Sequence, residues 1–326
     1  MADLSTCYLG LKLKNPLVVA ASGLTASAEG ARKAAAAGAG AIVLKSLFEE
    51  QLDAELAGAE AALAQGAHPE AWDFLKGAGT EEGARDYLRL VAGAKEAGLP
   101  VIASLNCRGA GRWAEFAGRI EEAGADALEL NMGFMPASTE ELGEAVEERL
   151  FTALREVRAA TKLPLALKLG SSYSSLPAVA SEAARIGVQG LVLFNRFYRL
   201  DVDLAGLTLK AGASRSSGSE YGESLRWISI LADRVPCDLA ASTGIHDAET
   251  ALKLVAAGAS AVQLCSVIYK RGFGVLGEIA RAMGDWMDGK GVASVAELKG
   301  RLAQWRSGDP AAYLRLQYIQ ALTGIS

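Results

Sequence analysis

The chain lacks any block of lysine or arginine. Over 326 residues its formal net charge is −5. A nucleic-acid surface needs a basic stripe, so nucleic acid is excluded as a partner. Asp and Glu are dispersed rather than gathered into a tail, which describes a solvated surface. Cysteine is scarce as well. Cys7, Cys107, Cys237 and Cys265 lie far apart with no C-x-x-C among them, so this chain carries no zinc or iron–sulfur motif of its own. Few, scattered cysteines in an Ala-rich chain suit a reducing cytoplasm. Residues 16–24 are apolar but too short to span a bilayer, and the N-terminus lacks the charged-then-apolar layout of a signal peptide. No membrane is expected. Also absent is G-x-G-x-x-G after the first strand, the fingerprint of a doubly wound dinucleotide sheet. That strand ends Ala21-Ser22-Gly23-Leu24 instead.

What is present is a chain 51% hydrophobic, enough for one large core. Four segments share the form helix, Gly, short link, apolar strand: 35–46, 121–131, 183–195 and 255–266. Their strands are continuous apolar runs, the pattern of parallel strands covered on both faces. Counting such units gives eight strands, at about 17–21, 41–44, 101–105, 127–130, 165–169, 190–194, 238–242 and 261–264. Helical patterns fall at 27–37, 82–97, 112–123, 140–160, 174–186, 220–233, 247–257 and 274–288. The expected fold is α/β, a single-domain (β/α)8 TIM barrel over 1–290. Long loops follow strands 2 (47–80) and 6 (196–219), and a C-terminal helical extension over 291–326 includes a helix at 310–322. Trp305, Tyr313 and Tyr318 are expected to pack on the barrel or on a partner copy.

The stretch 237–268 is the most informative. It reads strand, Ser242-Thr243-Gly244 turn, Asp247 as helix N-cap, Gly258 as helix end, and a second strand ending in Cys265-Ser266. Small residues with free backbone N–H groups, backed by a helix N-terminus, suit a phosphate. In a barrel the loops after strands 7 and 8 are the usual phosphate site. Other strand ends offer Ser22, Lys45, Ser46, Ser104, Asn106, Glu129, Asn131, Lys168 and Asn195, all expected at one mouth. Lys45 and Lys168 each follow an apolar run and are expected to enter a partly enclosed space, where a lysine needs an anion. The plainer reading pairs a lysine with a carboxylate such as Glu129. Cys265 reads as a small buried residue, His246 as a loop residue beside the phosphate, His68 as a solvated loop residue and Cys107 as part of the site wall. Three chemistries fit: a flavin oxidoreductase with a lysine at the flavin pyrimidine edge, a Schiff-base aldolase, and a barrel that binds a phosphorylated ligand without turnover.

The ordered set NPLVVAASG (15–23), LKS (44–46), PVIAS (100–104), LELN (128–131), PLALKL (164–169), ASTGI (241–245) and AVQLCS (261–266) resembles the dihydroorotate dehydrogenase family. The likeness runs from about residue 4 to 285 and is nearer the soluble class 1 members than the membrane class. The tail, with DPAAYLRLQYIQAL, is similar to that of a divergent bacterial branch described as dihydroorotate dehydrogenase-like. The resemblance implies an FMN-dependent oxidoreductase converting dihydroorotate to orotate, as in pyrimidine biosynthesis. It implies a homodimer, with any iron–sulfur relay on an electron-transfer partner protein. It would place the FMN phosphate on Thr243-Gly244 and Cys265-Ser266, and Ala21 and Ser22 against the isoalloxazine. Lys45 and Lys168 would lie near the ring and ribityl chain, with Ser46, Asn106 and Ser242 completing the cofactor set. Asn131 and Asn195 match amides that bind flavin and substrate, and Lys45 would also face the small-molecule substrate.

The sequence departs from the family pattern in the substrate region. Class 1 members carry Leu-Ser-Cys-Pro-Asn after the strand-4 Asn, with the Cys as base. Here the place reads Met132-Gly133-Phe134-Met135-Pro136, so the base position is Phe134 and the following Asn is Pro136. A phenyl ring takes no proton. The Asn-Ser-Met-Gly substrate loop has no counterpart in 65–74, whereas the change to Thr-Gly and Cys-Ser at the phosphate keeps its donors. The replacement-base candidates are Ser138, Thr139, Cys107 and His68. The alternatives are a flavoenzyme for another small cyclic or unsaturated substrate, and an FMN-binding protein without turnover.

Overall fold

A computed structural model describes residues 1–48, 83, 85–107, 113–132, 138–196, 199–311 and 315. Among them the apolar runs form parallel strands β1 (Leu17–Val19), β2 (Ala41–Val43), β3 (Val101–Cys107), β4 (Ala127–Met132), β5 (Leu165–Leu169), β6 (Gly190–Leu193), β7 (Asp238–Ser242) and β8 (Ala261–Leu264). Each pairs with the next, and β8 returns to β1 with Val262 opposite Leu17, so the ring closes as a barrel. Helices wrap it: α1 (Ala28–Ala36), α2 (85–95), α3 (Trp113–Glu122), α4 (Gly143–Ala160), α5 (Leu176–Ile186), α6 (Tyr221–Leu231), α7 (Ala248–Ala257), then α8 (Ser266–Arg271) and α9 (Val275–Lys290). The caps are local chemistry. Asp247 accepts from Thr250 N at 2.8 Å to start α7, and Ser27 does the same for Gly30 N at α1.

Alternation along the strands builds two cores. Val18, Ala41, Val43, Ile102, Ala127, Ala166, Val192, Ala240 and Ala261 form the inner one, while the outward residues pack under the helices. The inner core is closed below by a hairpin, Thr6–Tyr8 with Leu11–Leu13, whose Tyr8, Leu9 and Leu13 are buried. The three-residue strands of this plug carry too little pattern to be read from the sequence. The plug explains Gly190: a Cβ there would sit 2.6 Å from Leu9 Cδ2. Asp238, at the start of β7, accepts from Leu9 N at 2.9 Å and ties the plug to the barrel.

The β2–β3 ladder stops at Val43 opposite Ile102 and resumes only with Leu47 opposite Leu105. Tyr87 of α2 fills the gap. Its hydroxyl donates to Ser104 O at 2.9 Å and accepts from Ser104 N at 2.7 Å. The long loop after β6 is part hairpin, Leu200–Asp203 with Thr208–Ala211, exposing Leu200, Val202 and Leu209. After α9 the chain packs back on α7, with Gly300 N bonded to Val255 O and Leu302 N to Ala256 O. Trp305 is exposed, with the Arg234 guanidinium over its ring at 5.3 Å. Most of the expected helix at 310–322, with Tyr313 and Tyr318, lies outside the described residues, as do most of 47–80 and all of 65–74.

Candidate active site

The loops after β7 and β8 meet at the C-terminal mouth of the barrel. Thr243 and Gly244 both take left-handed backbone, φ +75° and +78°. For a β-branched threonine this is a strained conformation, of the kind held in place at functional turns. Gly244 has a second reason to be glycine: a Cβ would lie 2.4 Å from Tyr221 N, at the start of α6. Ser216 is brought between the two loops. Its Oγ accepts from Gly244 N at 3.3 Å and donates to Ser266 Oγ at 3.0 Å, while Ser216 N donates to the same Ser266 Oγ at 2.9 Å. Lys270 Nζ donates to Ser216 O at 3.1 Å, and His246 Nε2 stands 3.4 Å from Ser216 Oγ. Burial first, then the Lys270 ammonium, hold the His246 imidazole below its usual range, so it is neutral near pH 7.

A cavity of about 210 Å³ opens on this turn. Ala21, Lys168, Asn195, Ser242, Thr243, Gly244, Cys265 and Ser266 line it, so these sequence-selected residues are brought together. Ser22 sits beside it, capping the short turn Gly23–Thr25. Burial pushes the Cys265 thiol up, so it is not a thiolate at neutral pH. Lys168 stands in the barrel interior, 7% exposed. Its Nζ donates to Gln263 Oε1 at 3.2 Å and lies 3.6 Å from Glu129 Oε1. The plainer reading of Lys168, a pair with Glu129, therefore holds, while the same ammonium lines the cavity. An ammonium fixed on two sides suits a standing cation better than a nucleophile. Asn131 is the direct neighbour of Lys168 across β4 and β5 and of Asn106 across β3 and β4. Its Oδ1 is buried without a hydrogen-bond partner among the described residues.

Not every expected residue joins this cavity. Lys45 is exposed, contrary to the enclosed space expected for it, because β2 ends at Val43 and the chain leaves the ladder before Lys45. Lys45 and Ser46 line a cavity with Asp86 and Tyr87, and neither lines the one at the β7–β8 turn. Ser46 Oγ is 2.8 Å from Ser104 Oγ. Ser138 and Thr139 are exposed ahead of α4. Cys107 ends β3, but its side chain lies outside the described residues, as do His68, Phe134 and Pro136. Among the described residues no group of three His, Cys, Asp or Glu side chains could hold a metal, and no helix is long and apolar enough to cross a membrane.

Gln263, Arg196 and Ser216 were missed. Gln263 had a signal, a glutamine inside an apolar strand with the inward phase of Ala261 and Cys265. Arg196 and Ser216 had none, since only the tertiary fold brings their loop here. Arg196 lines the cavity, anchored by Glu220 at 2.9 Å and by the carbonyls of Ala213 and Arg215. Burial opposes ionisation of Glu220, but bonds from Arg196 and Ser217 N outweigh it and hold its carboxyl below the usual range.

A closed ring of eight parallel strands wrapped by helices, with small residues ending β7 and β8 and the Lys168 ammonium beside them, defines a (β/α)8 barrel. The family model described as dihydroorotate dehydrogenase matches residues 3–287, and the chain belongs to that family. It is an oxidoreductase, a dehydrogenase acting on CH–CH bonds. Among similar proteins, the dihydroorotate dehydrogenase B (NAD(+)) catalytic subunit of Thermoplasma volcanium is 25% identical over 320 residues, covering 92% of this chain and 98% of that protein. The subunit of the same name from Pyrococcus abyssi is 28% identical over 307 residues, 89% and 96% of the two chains. That of Methanosarcina mazei is 27% identical over 305 residues, 89% and 92%.

Proposed function

We propose that the chain binds FMN at the β7–β8 mouth and oxidises dihydroorotate to orotate. The observation that carries this reading is the Lys168 ammonium, fixed from below and lining the cavity that holds the anion cradle. The residues present fit the cofactor. The small residues Thr243, Gly244 and Ser266 leave room for the phosphate, with Arg196 and Lys270 adding positive charge nearby. The unpartnered Asn131 Oδ1 suits a donor on the ring or the substrate. FMN, when bound, supplies the acceptor for a hydride. Lys168 holds a fixed positive charge where negative charge gathers on reduction. Asn131 and Asn195 orient the ring and the substrate, and Ala21 leaves room for a flat ring to approach.

Phe134 stands where the family pattern has its basic Cys, and the candidates for a replacement base are Ser138, Thr139, Cys107 and His68. The same departure favours a second reading, a flavoenzyme for another small cyclic or unsaturated substrate, or an FMN-binding protein without dihydroorotate turnover. To the same proposal belong a homodimer in the cytoplasm and an electron-transfer partner chain. The relatives' names, which call each a catalytic subunit of an NAD(+) enzyme, support that partner.

The test is the visible spectrum of the purified protein, before and after dihydroorotate is added without oxygen. Yellow protein that bleaches supports cofactor and substrate. Yellow protein that does not bleach keeps FMN and rejects dihydroorotate. Lys168→Ala is expected to yield colourless protein, and a fully yellow variant would count against its place at the flavin.

A further inference from the structure

Beneath the cavity floor lies a charge that neither phosphate nor ring recognition requires. Glu129 stands mid-strand in β4, facing the barrel interior and 1% exposed. Its Oε2 accepts from Gln263 Nε2 at 2.6 Å, and Gln263 Oε1 accepts from Lys168 Nζ at 3.2 Å. Glu129 Oε1 lies 3.6 Å from the same ammonium and accepts no hydrogen bond among the described residues. Carboxylate, amide and ammonium thus close a triangle across β4, β8 and β5. Burying a carboxylate is costly, and an apolar side chain of like volume would pack as well. The field of Glu129 reaches other interior groups. The buried Tyr8 hydroxyl is raised well above the usual phenol range, by burial first and Glu129 second.

We infer that Glu129 is a positioning residue that sets the redox balance of the flavin by offsetting the charge of Lys168. This rests on the FMN reading above. A cation with a carboxylate 3.6 Å behind it presents less than a full positive charge to the cavity. Two-electron reduction gathers negative charge at the pyrimidine edge of a flavin. Lys168 favours that charge and Glu129 opposes it, while Gln263 fixes the geometry of both. The pair therefore keeps the potential lower than Lys168 alone would set it.

The experiment measures the midpoint potential of the FMN-loaded protein by anaerobic reduction against a reference dye, together with the dissociation constants of oxidised and reduced FMN. Glu129→Gln keeps the volume and removes the charge. It should tighten reduced FMN relative to oxidised FMN at least tenfold, raising the midpoint by at least about 30 mV for a two-electron couple. Glu129→Asp draws the carboxylate back by one methylene and should shift the midpoint the same way by less, which carries the test if the Gln variant does not fold. A purely structural role would weaken both redox states alike and leave the midpoint in place, and that result overturns the inference. A lowered midpoint does the same. Wild-type protein that takes up no FMN overturns the functional reading and this one together, whereas yellow wild type with an unmoved variant overturns only this one.

Discussion

Tyr87→Phe removes one oxygen atom and leaves two buried backbone groups without a partner. The Tyr87 hydroxyl both donates to Ser104 O and accepts from Ser104 N, and Ser104 is 0% exposed. No strand can take its place, because the β2–β3 ladder is interrupted at that level. Each orphaned group costs about 1–3 kcal/mol, so the pair costs roughly 2–6 kcal/mol. For 326 residues the unfolding entropy is large enough that 1 kcal/mol moves the Tm by only about 1.5 °C. The variant should therefore melt roughly 3–9 °C lower in calorimetry. Hydrogen exchange followed by mass spectrometry should show faster exchange in the 101–106 segment, with distant segments unchanged. The pH dependence has a definite sign. Burial holds Tyr87 far above the usual phenol range, so the fold favours its protonated form. That contribution is whole below about pH 10, where an unfolded tyrosine titrates, and is lost as pH rises beyond it. The gap between the two proteins should then hold from neutral pH to about pH 10. A variant that melts within about 1 °C of wild type, with unchanged exchange at Ser104, would refute the seam argument.

Two further outcomes follow from the cradle. Gly244→Ala would need a positive φ and a Cβ 2.4 Å from the α6 backbone, so α6 must shift; FMN affinity should fall at least tenfold in a fluorescence titration, and an unchanged affinity would separate this turn from the phosphate. Iodoacetamide at pH 8 should label exposed Cys7 well before Cys265, whose rate should climb only at higher pH because burial raises its thiol. Added FMN should protect Cys265, and Cys237, pushed up to about 12 by burial, should stay unlabelled. Equal labelling of Cys7 and Cys265 at pH 8 would contradict the placement of Cys265.

The barrel was legible because its signals are local and repeated. Apolar runs at regular intervals, glycines at helix ends and the Asp247 cap each act within a few residues, and the observed elements differ from the expected ones mainly at their ends. The N-terminal plug and the loop hairpin were not legible. Their strands are three and four residues long, and what fixes Tyr8 and Leu9 is the empty lower end of the barrel rather than their own pattern.

The candidate site divides along the same line. The sequence by itself determined that small residues end β7 and β8 and that a lysine follows an apolar run in β5, because identity and short-range order are enough for each. Only the tertiary structure decided which of these meet. It set Lys168 over Glu129, 39 positions away in the chain, and bridged both with Gln263. It carried Ser216 between two loops, and it left Lys45 outside. The physical reason is that strand phase and barrel closure, both non-local, determine which side chains share the interior.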